Sequence, residues 1–480
     1  MHVETPQSIC RFGIAVGDIT PPVGIYHRMW GAATHERAEG IHRPLRATVL
    51  IFQPLDGDGG EDARQVLVAL DHCLLGPPEM DLLLGAVTGA TGVPRDDIVV
   101  VFSHTHAAGL MSLDRQELPG GDLIRPYLWD VAERVSELVL AAQRSLSPAT
   151  IVFGTGRCDL AQHRDYWDSD RKQFVCGYNP HETADDTVVA ARVTGDDGRL
   201  LATIVNYACH PTTLAWENRL ISPDYPAAMR EVVEQATGAP CVFVQGASGD
   251  LGPKEGYVGD PEVADRNGRQ LGYAALATLT ALPPPATQFE YAGAVVSGAT
   301  LGAWRHAPVS PAQRERLSRW QRIRWTLSLP YRPGLSTREQ VQSELARWEA
   351  KEAAARSAGN DEQARDCRAM VERQTRMLMR LAVLPPGNEY PLDLTLWRTG
   401  DAFWVTVPGE PYSLLQRSLR ARFPDTPIVV SNLANGWGPS YLPTEDVYDK
   451  GIYQESIAVA APGSLEKIIA DVARHIERMR

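Results

Sequence analysis

His104 and His106 are separated by one residue and stand directly behind the apolar run Ile98–Phe102. That run is short and rich in β-branched residues, which reads as a buried strand. Both histidines therefore fall at a strand end, where open α/β sheets place their ligands. If the extended backbone continued through Ser103-His104-Thr105-His106, both imidazoles would project to one side. Two neutral nitrogen donors on one face suit zinc. The same spacing also fits two ordinary loop histidines. His210 repeats the placement: it follows a predicted strand at 202–205, and Pro211 holds it extended and stops the ladder. Glu410, in Val407-Pro408-Gly409-Glu410-Pro411, sits on a tight turn behind another strand. It is either a ligand or an acid stabilised by the dipole of a helix at 412–422. Trp437, Tyr441, Tyr448 and Tyr453 lie on Gly- and Pro-punctuated backbone, where aromatic residues contact a ligand or pack.

These residues need a scaffold, and the chain between them alternates strands and helices. Strands are predicted at 47–52, 66–70 and 98–102, and helices at 80–91 and 126–145, the latter with Pro126 at its first position. Residues 188–193 and 201–207 read as a hairpin, followed by a helix over Tyr225–Thr237 and a strand at 241–244. The class is α/β, with mixed β-sheets flanked by helices. At 305–385 the composition shifts. Helices are predicted at 311–329, from a capping box Ser336-x-x-Glu339 to about 357, and at 362–381. This reads as a helical insertion within a single domain spanning 1–480. It could shape a pocket wall or an oligomer contact, and its Trp320, Trp325 and Trp348 read as helix packing or as a remodelled entrance. The α/β pattern resumes with strands at 392–397 and 402–407 and a last helix at 464–480. Asp71 and Asp224 are candidates to hold a ligand imidazole by its other nitrogen, with Asp224 alternatively a helix cap.

The 480-residue chain is 44% hydrophobic and 22% charged, ordinary values for a globular protein, so a large core is available. Its net charge of −12, without a basic run, argues against nucleic acid or an anionic membrane surface as partner. Seven scattered cysteines include no C-x-x-C pair, which argues against a thiolate cluster or disulfide framework and fits a reducing cytoplasm. No signal peptide is visible at Met1–Cys10, and no apolar stretch suggests a membrane span. No G-x-S-x-G elbow supports a serine α/β-hydrolase.

Together these stretches resemble the neutral, non-lysosomal ceramidase family in its amino-terminal catalytic domain. The resemblance runs through Gly13-Ile14-Ala15 to Asp18-Ile19-Thr20, Gly40-Ile41-His42 and Ser103-His104-Thr105-His106. It continues through Asn206 to His210-Pro211, Gly249-Asp250, Pro408-Gly409-Glu410 and Tyr441 onward, in family order along nearly the whole chain. It implies one catalytic zinc held by His104, His210, Glu410 and Tyr441. It places His106, Tyr453 and Arg164 in the active site and Asp250 and Gly252 toward the substrate, while Trp437, on its irregular loop, is a further candidate substrate contact. Zinc held by light ligands with an open position lowers the pKa of its bound water to about 7. His106 could then pass a proton to a leaving amine, and Tyr441 or Tyr453 could hydrogen-bond the oxyanion.

The chain departs from the family at Gly252, where ceramidases carry a serine. Glycine excludes a serine-acyl route and leaves attack by zinc-bound water. The chain is also expected to lack the family's carboxy-terminal β-sandwich. The expectation is a cytoplasmic zinc hydrolase cleaving an N-acyl bond of a small soluble or amphiphilic substrate, without stable membrane association and with a homo-oligomer open. The alternatives are a metal-binding protein with altered catalysis, a true ceramidase, and ester rather than amide hydrolysis.

Overall fold

The computed structural model describes residues 1–55 and 64–480. At its centre is an eight-stranded sheet in the order Cys241–Gln245, Leu200–Tyr207, Thr187–Gly195, Ser147–Arg157, Gln7–Asp18, Arg46–Gln53, Gln65–Leu70, Ile98–Phe102. Neighbours run antiparallel except at the two margins. There Cys241–Gln245 is parallel to Leu200–Tyr207, and Ile98–Phe102 is parallel to Gln65–Leu70. A second, four-stranded sheet orders Trp320–Pro330, Glu389–Thr399, Ala402–Thr406 and Ile428–Ser431.

Side-chain alternation sets the layers. Along Ile98–Phe102, Ile98, Val100 and Phe102 join a core with the helices Pro77–Thr91 and Ile124–Arg144. Val99 and Val101 point the other way, into a core shared with Trp397, Trp404 and Val429 of the second sheet. Both faces are buried, which explains an unbroken apolar run in place of an alternating one. Trp397 and Trp404 are cross-strand partners that stack with centroids 5.3 Å apart, and Phe52 lies 5.3 Å from Trp404. The helices Tyr225–Thr237 and Pro261–Thr280 cover the other half of the large sheet. Leu414–Arg422 and Ser464–Met479 cover the outer face of the small one. The architecture is thus helix, sheet, sheet, helix, as the α/β pattern implies.

The 305–385 region differs from its prediction. Only Pro311–Leu317 of the predicted 311–329 helix is helical, and Trp320–Pro330 is an edge strand of the small sheet. Ile323, Trp325, Leu327 and Leu329 alternate with polar residues, a period of two that marks a strand. Trp325 donates from its indole to Asp471 at 2.7 Å, on the Ser464–Met479 helix. The capping box lies one residue on, where Thr337 and Gln340 bond each other's backbone N–H groups at the start of Arg338–Ser357. That helix and Asp361–Ala382 match the two further helices that the sequence predicts here. Pro126 is the third residue of Ile124–Arg144, not the first. No helix among the described residues is long and apolar enough to cross a membrane.

One buried ion pair ties the central sheet to its helices. Arg230 grips Asp71 with two hydrogen bonds of 2.9 and 2.6 Å, and Asp71 also accepts from the backbone of Arg46 at 2.9 Å. Both side chains are almost wholly buried. Asp71→Ala would strand a buried guanidinium, a loss of about 3–5 kcal/mol. Urea denaturation measures it; an unchanged midpoint would contradict the assignment.

Candidate metal centre

The candidate ligands come from strand ends and short bridges. Phe102 ends one margin of the large sheet and is followed by Ser103 and His104, while Tyr207 ends the strand leading to His210. Glu410 and Tyr441 face each other as register partners in a two-residue parallel bridge. The turn before Glu410 requires glycine: Gly409 has φ +83°, and a Cβ there would meet Ser440 O at 2.6 Å. The extended H-x-H of the sequence reading is not found. His104 adopts the left-handed conformation, φ 66°, and its N–H bonds His72 O at 2.9 Å. A non-glycine residue held there costs of order 1–3 kcal/mol, a strain concentrated at functional sites.

Three acceptor atoms face one another. His104 Nε2 lies 3.0 Å from His210 Nε2 and 3.2 Å from Glu410 Oε2, and His210 Nε2 lies 3.0 Å from the same oxygen. Tyr441 Oη is 3.3 Å from His210 Nε2. The other nitrogen of each imidazole is committed. His104 Nδ1 donates to Cys73 O at 2.8 Å and His210 Nδ1 to Ser248 O at 2.7 Å. Carbonyl oxygens only accept, so both Nδ1 atoms carry the proton and both Nε2 lone pairs point inward. Two lone pairs and a carboxylate around one point repel unless a cation sits between them. Ligands about 2.0–2.1 Å from a four-coordinate metal lie about 3.3 Å from each other, close to the separations here. The donor set therefore fits a divalent metal. A second cluster, Cys73, His104 and His106, would need His104 Nδ1 and break its bond to Cys73 O.

The electrostatics ask for the same positive charge. Burial alone would lower His104, but Cys73 and Glu410 outweigh it and carry the imidazole up to about 10. Burial pushes His210 down to about 3, reinforced by the Arg164 charge. Burial acts to raise Glu410, yet the two histidines hold it well below the usual carboxylate range. A proton on His104 partly satisfies what a metal would satisfy fully.

Around the triangle, Arg164 is buried and donates to Gly249 O at 2.7 Å and to Tyr441 Oη at 3.0 Å. It fixes the tyrosine and leaves its O–H proton free to donate. Tyr453 packs edge-on against Tyr441, with ring centroids 6.0 Å apart. The His106 ring is 4.8 Å from His104, and its Nε2 has no partner among the described residues. Burial, then the neighbouring histidines, keep it neutral. His106, Arg164, Tyr441 and Tyr453 all line one cavity of about 400 Å³.

The crystal structure of neutral ceramidase from Pseudomonas aeruginosa superposes with a TM-score of 0.65 over 99% of this chain and 75% of that one, at 15% identity. The chain has the neutral ceramidase fold. A ceramidase complexed with C2 gives a TM-score of 0.64 at 16% identity, over 99% of this chain and 76% of its own. In sequence, the chain is 22% identical to neutral ceramidase B of Dictyostelium discoideum over 294 residues, 55% of this chain and 39% of that relative. The match therefore spans well under half of the relative's length. No family model matches the chain.

Within the ceramidase fold, several residues singled out in the sequence stand apart from the triangle. Asp71 binds Arg230, and Asp224 caps Tyr225–Thr237, so backbone carbonyls, not carboxylates, orient the histidines. Asp250 is not free for a substrate: its two oxygens accept from Ser413 N and Oγ, both at 2.6 Å. Trp437 lines a neighbouring cavity rather than this one. A Cβ at Gly252 would meet Arg164 Cδ at 3.8 Å and Thr212 Oγ1 at 3.9 Å, ordinary contacts, so packing does not enforce the glycine. Ser248 uses its carbonyl to hold His210, and its hydroxyl accepts from Gln245 at 2.7 Å.

Two further walls complete the cavity, the first without a local signal in the sequence and the second a helix of the 305–385 region expected to shape a pocket wall. One is aromatic: Trp30, Trp216 and Tyr257 come together from distant loops, with Trp216 and Tyr257 stacked at 6.3 Å. The other is the Asp361–Ala382 helix, anchored by a buried ion triad. Arg115 grips Glu372 at 2.7 and 2.9 Å, and Arg376 bonds the same carboxylate at 2.8 Å. Burial would raise Glu372, but these arginines bring it down to about 2 from 4.5. A depressed carboxyl stabilises the fold above its unfolded pKa and loses that contribution as pH falls from about 4.5 toward 2. Glu372→Gln is therefore expected to lower the urea midpoint strongly at pH 7 and hardly at pH 2, with the gap closing between. A pH-independent gap would contradict the triad's role.

Proposed function

We propose that the chain is a zinc-dependent hydrolase that cleaves the amide bond of a small soluble or amphiphilic N-acyl substrate. The observation that carries this reading is the triangle of facing acceptors, His104 Nε2, His210 Nε2 and Glu410 Oε2, with Tyr441 Oη as a fourth donor. The ceramidase relatives, whose name denotes cleavage of an N-acyl bond, add support. When bound there, zinc supplies a nucleophilic water near neutral pH and polarises the scissile carbonyl.

The chain's own residues do the rest. Cys73 O and Ser248 O hold the imidazoles in the tautomer that presents Nε2. Arg164 holds Tyr441 and, through its charge, favours negative charge developing beside it. Tyr453, at the mouth of the cavity, can donate to the oxyanion. His106 is held neutral, and its Nε2 has no partner among the described residues. It can take a proton at that atom as the nucleophile adds and return it to the leaving amine. Gly252 leaves no side-chain nucleophile at its position, consistent with direct attack by water.

The test is turnover of N-acyl compounds by the purified chain. Activity is expected to vanish on chelation and return with Zn²⁺. Full activity in His104→Ala, or turnover indifferent to chelation, would overturn the reading. Efficient cleavage of short-chain ceramide in detergent would move the substrate to ceramide itself.

A further inference from the structure

The cavity beside the triangle is chemically lopsided. Arg164, Arg373, Arg376 and Arg380 all line it, against a single lining carboxylate, Glu372. That carboxylate is already shared by Arg115 and Arg376. Arg376 also donates to Met29 O, and Arg164 is spent on Gly249 O and Tyr441. Two cations are left over. Arg373 and Arg380 make no side-chain hydrogen bond or ion pair among the described residues, and they stand seven positions apart on one face of the Asp361–Ala382 helix. Arg380 is partly buried. Burial disfavours its charge, which the Tyr453 side chain opposes. In a chain of net charge −12 this local surplus of positive charge is not background. Opposite it stands the apolar wall of Trp30, Trp216 and Tyr257.

From this arrangement we infer that the substrate is an anionic amide. Its carboxylate or equivalent oxyanion is received by Arg380 and Arg373, and an aromatic or apolar group lies against Trp30, Trp216 and Tyr257. The assignment rests on the hydrolase reading of the same site and narrows it. A desolvated guanidinium gains most from an oxyanion that accepts two of its N–H groups. Rim cations also draw anions in from solution, an effect that salt weakens.

The test is calorimetric binding of N-benzoylglycine and its neutral twin, N-benzoylglycinamide, to the intact chain. Both carry an aryl ring and an internal amide, and only one carries the carboxylate. The acid is expected to bind about tenfold more tightly or better at low salt, with the preference shrinking at high salt. In the double variant Arg373→Met, Arg380→Met the preference is expected to collapse to near unity, and Arg373→Ala alone, at an exposed position, to reduce it. Equal affinities for the wild-type chain, binding of neither probe, or a preference that survives the double variant would each overturn the inference. Should the double variant not fold, the wild-type comparison and the Arg373→Ala variant decide. Tight, arginine-dependent acid binding without any hydrolysis after zinc loading would support the anion-binding site and count against the hydrolase reading alone.

Discussion

His210→Ala is expected to remove metal and hydrolysis together. His210 supplies one corner of the triangle, 3.0 Å from both His104 Nε2 and Glu410 Oε2. Its removal leaves one histidine, a carboxylate and Tyr441, which no longer enclose a four-coordinate ion. Loss of an outer partner to a ligand costs about 10–100-fold in metal affinity, and loss of the ligand itself is expected to exceed that. Metal analysis after gel filtration should find well under one equivalent, with N-acyl turnover at background. Retention of a full equivalent of metal would place the ion elsewhere. Folding is a separate matter: His210 N–H bonds Leu251 O through the backbone, so the loop keeps that anchor in the variant. A preserved thermal transition would separate metal loss from unfolding.

His106→Ala is expected to behave differently: one equivalent of metal retained, and kcat lowered by about 10²–10⁴-fold, the usual contribution of a positioned general acid–base group. The reason lies in how the two histidines diverge. His104 turns through a left-handed backbone and aims Nε2 at Glu410, whereas His106 lines the cavity with its Nε2 unpartnered and its ring 5.2 Å from Trp30. A KM that rose while kcat held would recast His106 as a substrate contact. Loss of metal would favour the competing cluster with Cys73.

The sequence shows the scaffold where burial is local and two-sided, and hides what depends on distant loops. Ile98–Phe102 and Tyr225–Thr237 are found at their predicted bounds, because an unbroken β-branched run and a proline-opened, glycine-closed helix each encode their own limits. The strand Trp320–Pro330 was masked by its charged residues, although its apolar positions alternate with a period of two. His104 departs from extended geometry because the chain must turn off the sheet margin to bring Nε2 to the triangle, and no residue type at 103–106 announces that turn. Asp71 is a candidate in the sequence because it is an acid at a strand end, and Asp250 because the Gly249-Asp250 pair matches the family, but both are committed elsewhere. The partners, Ser413 and Arg230, lie more than 150 residues away. The aromatic wall joins Trp30 to Trp216 and Tyr257 across a similar distance, so only the fold reveals it. Arg373 and Arg380 read as the solvated face of a helix until that helix is seen roofing the cavity.

One divalent metal is expected to sit among His104, His210, Glu410 and Tyr441. Anomalous diffraction across the zinc edge, from crystals of the protein grown without added chelator, tests it most directly. A single peak is expected about 2.0–2.2 Å from His104 Nε2, His210 Nε2 and Glu410 Oε2, with Tyr441 Oη completing the set. No peak there, or a peak among Cys73, His104 and His106, would contradict it.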